Sequence, residues 1–344
     1  MKLTANHRVA ILLHEGLLNS SGKTGLTLLR YSQAEIVAVI DRKCAGKNLF
    51  ELTGINKNVP IVASLAEALS YRPNVLAIGI APSGGALPDA SVEEIDGAIA
   101  AGLSLVNGLH TLFGQKYSQL QDGQWIWDIR QEPPGLTVGR AQARSLSCRR
   151  VLAVGTDMSI GKMSACLELE RCALNRGLRA KFLATGQAGL MIAGDGVPLD
   201  AVRVDFAAGA VEQIVMKYGP DHDILFVEGQ GSFIHPGSTA TLPLLRGSQP
   251  THLVLVHKVG QTTINSCPDV KIPPLPQVIQ MYELAASAAG AMQPSKVAAI
   301  ALNTSSCNDA EAKEAIAQVQ AETGLPCTDV VRFGADLLLD AIDN

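Results

Sequence analysis

The sequence predicts two α/β domains: a parallel-sheet domain, then a doubly wound one. Three observations carry this. Short apolar runs such as VLAVG and ILFVE alternate with longer Ala/Leu-rich stretches, the pattern of strands and covering helices in a parallel sheet. Glycine is frequent, at 32 residues, and aromatic residues make up only 4%, which suits many tight strand-to-helix turns. A chain of 344 residues is also long for one core and comfortable for two.

The elements follow in order. Residues 8–14 form a first strand, EIVAVID a second ending at Asp41, and VLAIGIA, 75–81, a third. VPIVASLAEALSYRPN between them supplies a short strand and a small helix. APSGGALP makes a Gly/Pro turn, SVEEIDGAIAAGL (91–103) has the acidic start and apolar spacing of a surface helix, and LSLVNGLH closes the unit. The pattern breaks between 115 and 148, where both tryptophans, Trp125 and Trp127, stand near a Pro-Pro turn. The boundaries expected are therefore 1–115 for the first domain, 116–148 for a connector with a little β structure, and 149–344 for the second. That domain opens with the strand RVLAVG, the turn GTDMSIG and a helix stopped by Gly177. KFLAT, a helix at about 207–218, ILFVE, HLVLVHK, a helix at about 276–289, KVAAIALN and a helix from Asp309 to about 321 complete it.

Composition narrows the function. Apolar residues reach 47%, charged residues 17%, and the net charge is −4 without a basic tract, so no nucleic-acid partner is expected. Seven cysteines at 44, 148, 166, 172, 267, 307 and 327 are odd in number and lack metal-ligand spacing, which predicts no metal site and a reducing, cytoplasmic setting. The amino-terminal apolar run is too short for a signal segment. No stretch reaches the roughly 20 apolar residues of a membrane span, so no membrane partner is expected. The apolar composition and short surface helices are compatible with a homo-oligomer, and the partner expected is a small-molecule substrate.

Two turns pose the central question. GLLNSSGKTG (16–25) and GTDMSIGKMS (155–164) place GK at the same distance behind a leading glycine, each after an apolar run. A phosphate-binding turn needs a strand's carboxyl edge, open N–H groups and a following helix whose dipole faces the anion. The second turn meets these needs, so Gly155, Thr156, Asp157, Ser159, Gly161, Lys162, Met163 and Ser164 are its candidate ligand-binding residues. In the first turn, Gly25 interrupts the following segment, which leaves at most two turns of helix, and an ordinary polar loop is favoured. GxGxxG is absent there, so Asp41 is only a weak candidate for a ribose-binding acid.

GTDMSIGK and the later VEG resemble the phosphate loop and acidic residue of dethiobiotin synthase, with Gly155, Thr156, Asp157, Gly161, Lys162, Glu228 and Gly229 as the counterparts. That enzyme has Thr directly after the lysine, where its hydroxyl reaches Mg²⁺; this chain has Met163. The whole chain resembles more closely a bacterial family catalogued as a domain of unknown function, whose members join a Rossmann-like amino-terminal domain to a P-loop NTPase-like carboxyl-terminal domain. The motifs are VIDRKCAGKNL, IGIAPSGGALP, VNGLHTLFG, VGTDMSIGKMSACLEL, FLATGQAG, FVEGQGSFIHPG and NTSSCNDAEA. Some of its members are N-acetyltransferases that use acetyl-CoA and act on D-glutamate. The resemblance implies acetyl-CoA as ligand and a D-amino acid as acceptor, with the loop cradling CoA phosphates without Mg²⁺.

Amine acylation requires a base and a group to steady the oxyanion. Glu228, Gln230, Ser232 and His235 lie within eight residues past a strand. Glu228 and His235 are the candidate bases, Gln230, Ser232 and the N–H groups of Gly229 and Gly231 the oxyanion donors. Thr185 and Gln187 in TGQAG are positioned to orient substrate, and His257 and Lys258 at a strand end offer a cation for a substrate carboxylate. Asp157 would face an amine or cation, or cap the helix. His110 is placed at a cleft or in hinge packing, His222 on a surface loop, and Asn303 at a purine or in a turn. Cys166 and Cys172 are read as core, and Cys307 lacks a nearby histidine to make it a nucleophile. Two further readings stand beside the acyltransferase: an ATP- and Mg²⁺-dependent ligase or kinase, and a non-catalytic nucleotide-binding protein.

Overall fold

The computed structural model describes residues 1–343 except 82–86, 118, 288 and 289, with the backbone alone at Ser20. The Gly/Pro turn expected at 81–88 and the end of the helix expected at 276–289 therefore lie partly outside the described residues. The chain divides into two units, 1–131 with 187–201 and 132–186 with 202–344.

The first unit holds a six-stranded sheet of β1 (Arg8–Leu12), β2 (Glu35–Ile40), β3 (Ile61–Val62), β4 (Val75–Ile78), β5 (Ser104–Asn107) and β6 (Ile126–Asp128). The order is β3-β2-β1-β4-β5-β6 with every pair parallel, so the winding reverses between β1 and β4. β6 comes from the stretch read as a connector. Its helices are α1 (Lys23–Tyr31), α2 (Leu49–Thr53), α3 (Leu65–Ala68) and α4 (Asp89–Ala100). The β1, β4 and β5 strands are buried throughout or nearly so, as expected of a sheet covered on both faces.

α1 corrects one expectation, because it runs unbroken through Gly25. Here glycine serves approach rather than interruption. A Cβ on Gly25 would lie 2.6 Å from Leu13, and the Gly25 N–H donates to the Gly79 carbonyl at 2.9 Å. The helix thus rides directly on the sheet.

The second unit begins with β7 (Arg149–Gly155) and α5 (Lys162–Asn175), then β8 (Ala180–Leu183). α6 (Gln187–Ala193) follows in the chain but belongs to the first unit, where it packs against α1. α7 (Ala207–Tyr218), β9 (Ile224–Val227), α8 (Thr241–Ser248) and β10 (His252–Lys258) come next. The chain closes with the antiparallel ribbon β11 (Thr263–Ile264) and β12 (Cys267–Lys271), then α9 (Leu275–Ala286), β13 (Lys296–Asn303), α10 (Asp309–Thr323), β14 (Cys327–Thr328) and α11 (Asp336–Asp343). The main sheet is β14-β13-β10-β7-β9-β8, parallel throughout. β7 is thereby central, and the GTDMSIGK turn leaves from its carboxyl end.

α10 shows how local chemistry sets an element. Asn308 and Glu311 form a reciprocal capping box, and Gly324 takes a left-handed φ of 70° just past the end. Cys172 is half-buried rather than core, and its thiol donates to Asp336 at 3.4 Å.

Replacing Gly22 by alanine would put a Cβ 2.1 Å from the Gly16 carbonyl oxygen. Overpacking of this kind costs about 1–3 kcal/mol. Gly22→Ala is expected to melt a few degrees below the parent in calorimetry, and an unchanged melting temperature would refute the close-approach reading.

Candidate functional site

The two GK turns differ in where their N–H groups point. In the first, Gly16 donates to the Leu13 carbonyl, Leu17 to Asp41 Oδ2, and Asn19 to Gly16. Ser21 donates to Asn19 Oδ1 and Gly22 to the Asn19 carbonyl. That loop is closed on itself, and Asp41 helps to close it: its other oxygen accepts from the Lys43 N–H.

The second turn is open. The N–H groups of Asp157, Ile160, Gly161, Met163 and Ser164 form no hydrogen bond among the described residues. They surround the first turn of α5, where the helix dipole favours an anion. Ser159 and Gly161 hold left-handed φ values of 57° and 114°, which is how the chain curls around the space above β7. For Gly161 the backbone angle is the requirement, since the nearest atom to an added Cβ is 3.6 Å away. The Lys162 ammonium lies inside the loop and donates to the Asp157 carbonyl at 2.6 Å.

Three supports hold the loop in place. The buried Asp157 carboxylate accepts from its neighbour Met158 N–H at Oδ1, and from Gln261 Nε2 and the Asn265 N–H at Oδ2. It therefore pins the β11–β12 ribbon to the loop instead of capping α5. Asn303 donates from Nδ2 to the Ile160 carbonyl at 2.8 Å and accepts the Ser305 N–H, so it steadies the turn. Tyr282, fully buried on α9, donates to the Gly155 carbonyl at 2.7 Å and accepts from the Phe233 N–H at 3.3 Å. Sequence reasoning missed Tyr282, Gln261 and Asn265. The only signal for Tyr282 was a lone hydroxyl on the apolar face of LPQVIQMYELAA.

The carboxyl ends of β8 and β9 form one cluster. Glu228 Oε2 accepts the N–H groups of Thr185 at 2.8 Å and Gly186 at 3.1 Å. The Thr185 hydroxyl donates back to the Glu228 carbonyl at 2.8 Å, and Gln230 Nε2 donates to the Thr185 carbonyl. Gly229 makes this possible: a Cβ there would overlap the Ala153 carbonyl oxygen, 1.6 Å away, and would lie 3.0 Å from Lys162 Cδ. Thr185 is wholly buried with its hydroxyl engaged. Gln187 opens α6, in the first unit.

The other predicted residues lie on the segment after β9, at the carboxyl end of β10 and, for His222, just before β9. Ser232 is buried; its hydroxyl accepts from the Ile234 N–H, and its own N–H donates to Ser238. His235 accepts the Gly237 N–H at Nδ1 and pairs with the Ser266 hydroxyl at Nε2. In the neutral ring Nε2 must therefore carry the proton. His257 departs from expectation. It is buried with Nδ1 against the Thr156 hydroxyl at 2.9 Å, and burial pushes its pKa down to about 4. It is neutral at pH 7 and cannot supply the expected cation, which leaves Lys258, at the exposed end of the same strand, as the residue in that position. His222 is half-buried and bonded to the Tyr218 carbonyl. Among the described residues no group of three or more His, Cys, Asp or Glu could hold a metal, and no helix is long and apolar enough to cross a membrane.

Comparison with known proteins places the chain. Residues 137–339 match the P-loop domain, and residues 42–132 the Rossmann-like domain, of a family described as a domain of unknown function, DUF1611. The chain belongs to that family. It is similar to a DUF1611 family protein of Anabaena variabilis whose crystal structure has a TM-score of 0.96, at 63% identity over 98% of this chain and 99% of that one. It is also similar to two curated proteins named D-glutamate N-acetyltransferase. One, from Tritonibacter scottomollicae, is 34% identical over 85% of this chain and 88% of its own length. The other, from a Pseudoalteromonas species, is 34% identical over 83% and 85%. Kinship with enzymes at this coverage supports catalytic function in general, and the P-loop domain supports a nucleotide-type ligand.

Two expected outcomes follow. The unfolded chain binds a proton at His257 near pH 6.5, whereas the folded protein resists it until about pH 4. The folded pKa is the lower one, so stability is complete above about pH 6.5 and falls as the pH drops toward 4. Burial shifts His252 in the same direction. His257→Gln should lose less stability than the parent across that window in denaturant titrations; identical losses would exclude His257 as a source. Tyr282→Phe leaves the Gly155 carbonyl and the Phe233 N–H without their buried partner, and should cost about 1–3 kcal/mol in the same measurement.

Proposed function

We propose that the protein is an N-acetyltransferase that moves an acetyl group from acetyl-CoA to the amine of a small amino acid such as D-glutamate. The observation that carries this reading is the open, lysine-bearing loop with Met163 where a Mg²⁺-binding hydroxyl would stand, in a chain similar throughout most of its length to proteins named for this reaction. CoA carries a pyrophosphate and a further phosphate. The N–H groups at 157, 160, 161, 163 and 164, together with the Lys162 ammonium, would hold such phosphates without a divalent ion.

In this reading the acceptor ammonium gives one proton to the base, and its nitrogen forms a bond to the thioester carbonyl carbon. Collapse of the oxyanion breaks the carbon–sulfur bond, the second proton on that nitrogen passing to the departing CoA thiolate. Glu228 is the better-placed base. It stands at the strand edge beside Gly229, whose close pass brings the chain against Lys162, and two N–H donors fix its orientation. His235 has its Nδ1 lone pair engaged by Gly237 and would have to break that bond to act. Gln230 and Ser232, with the Gly229 and Gly231 N–H groups, supply oxyanion donors once the substrate is bound. Thr185 acts by holding Glu228.

The alternative of an ATP-dependent ligase or kinase rests on the acidic residue at the end of β9. Isothermal titration with acetyl-CoA and with ATP, each with and without Mg²⁺, separates the two. Acetyl-CoA is expected to bind regardless of Mg²⁺, with binding lost in Lys162→Ala. ATP binding that requires Mg²⁺, with acetyl-CoA silent, would replace this reading by the alternative. Glu228→Gln keeps an oxygen acceptor for Thr185 and Gly186, so the fold should persist while kcat falls by roughly 10²–10⁴; a kcat within a few-fold of the parent would remove Glu228 from the chemistry.

A further inference from the structure

Two bridges tie the segment after β9 to the phosphate loop. In one, Tyr282 donates to the Gly155 carbonyl and accepts the Phe233 N–H. The other runs through the β11–β12 ribbon. Ile264 pairs with Cys267, so Asn265 and Ser266 form the two-residue turn at the ribbon's tip. From that tip the Asn265 N–H donates to Asp157 Oδ2 at 2.9 Å, beside Gln261 Nε2 at 2.5 Å. The hydroxyl of the next residue, Ser266, lies 2.8 Å from His235 Nε2. Since Nδ1 accepts the Gly237 N–H, the neutral ring carries its proton on Nε2 and donates it to Ser266. One short turn therefore holds the phosphate loop with its backbone and the segment after β9 with a side chain. The ribbon itself is anchored: Ile264 is fully buried, and the Ile272 N–H donates to the Thr262 carbonyl at 2.8 Å.

We propose that His235 and Ser266 form a strut that positions the segment after β9 against the phosphate loop, and that His235 is a positioning residue and not the base. This role rests on the acetyl-transfer reading. Both ring nitrogens are engaged, so no lone pair is left to take a proton from an acceptor amine. The turn that carries the ring is closed on itself. Ser232 N–H donates to Ser238 Oγ, His235 N–H to the Ser232 carbonyl, and Ser238 N–H to the His235 carbonyl. A turn bonded in this way shifts as a piece, and the ring is where its tip meets the ribbon. Holding the tip fixes Ser232 and the amides before it, the oxyanion donors, relative to phosphates held at residues 157–164. Displacement of such groups by about 1 Å can cost on the order of 10²-fold in rate. Asp157 serves the same end from the other side, because its carboxylate locks the ribbon to the phosphate loop.

The test is steady-state acetyl transfer from acetyl-CoA to D-glutamate by the full chain and by His235→Ala, His235→Gln and Ser266→Ala. Ser266 is exposed, so its truncation leaves the core untouched. His235→Ala and Ser266→Ala should each lower kcat roughly tenfold, with the KM for acetyl-CoA within about twofold of the parent. A glutamine amide reaches about as far as the imidazole Nε2 and can donate to Ser266, so His235→Gln should recover most of that loss. It should also keep the acid limb of the kcat–pH profile, which belongs to another group. Equal losses in the alanine and glutamine variants, an acid limb that vanishes in His235→Gln, or full kcat in Ser266→Ala would overturn the proposal. A parent without acetyl transfer would remove the acetyl-transfer reading instead, and amide hydrogen exchange then decides the strut. Ser266→Ala should speed exchange at Gly237, which bonds the ring, several-fold, and leave Phe233, which bonds Tyr282, at the parent's rate. An unchanged rate at Gly237, or both amides speeding together, would overturn the strut.

Discussion

One carboxylate organises the second sheet's functional edge. Glu228 accepts two N–H groups from the chain leaving β8, while the threonine that supplies one of them returns its hydroxyl to the Glu228 carbonyl. Each residue satisfies groups that the other would otherwise leave buried and unpaired. The lock fixes the separation of β8 and β9 just beyond their last paired residues, Leu183 and Val227. Gly229 must then pass so close to β7's backbone that a Cβ would overlap the Ala153 carbonyl oxygen, which sets the wall along which Lys162 lies. Removing the carboxylate would release two amides, a hydroxyl geometry and the path of the following loop together, so the effect of any change here is not confined to one bond.

The comparison of the two GK turns shows what residue spacing encodes and what it leaves open. Both follow a strand and precede a helix, and both put lysine at the helix start. Asn19 makes the difference in the first. Its side chain and carbonyl capture Ser21 and Gly22, and Asp41 captures Leu17, so the amides are spent within the loop. In the second, Asp157 directs its carboxylate away to the β11–β12 ribbon, and the amides remain turned to the space above β7. The identity of the polar side chains, more than the glycine pattern, decides whether such a loop can receive an anion.

Strands and the long helices were legible because periodicity and chain breaks announce them: HLVLVHK and KVAAIALN coincide with β10 and β13, residue for residue. The elements that escaped were short or poorly signalled. α6, QAGLMIA, has glycine inside and reads as a turn; α8 carries a proline in its first turn; α11 is an eight-residue segment at the chain end. Within the candidate site, residues near a strand end were found, since motif and topology both mark them. Their neutral or engaged states were not, because His257's loss of charge depends on burial, and the ties of Thr185 and Asp157 depend on partners dozens of residues away. Tyr282 was hidden for a related reason: 127 residues separate it from the carbonyl it bonds.

The first unit is also discontinuous, and this has a bearing on how the protein is made. Residues 187–201 complete a body whose other parts end at 131, and α6 sits against α1, with Gly194 pressed closely enough on Lys2 that a Cβ would clash at 2.4 Å. A ribosome must therefore synthesise β7, α5 and β8 before the earlier sheet can receive its last helix. During that interval the face of α1 that α6 will cover stays open, a state in which partly folded chains are prone to associate. Cutting the gene between the two sheets would produce a fragment in that waiting state permanently, whereas moving residues 187–201 onto the end of the first segment would let the amino-terminal body close as soon as it is translated.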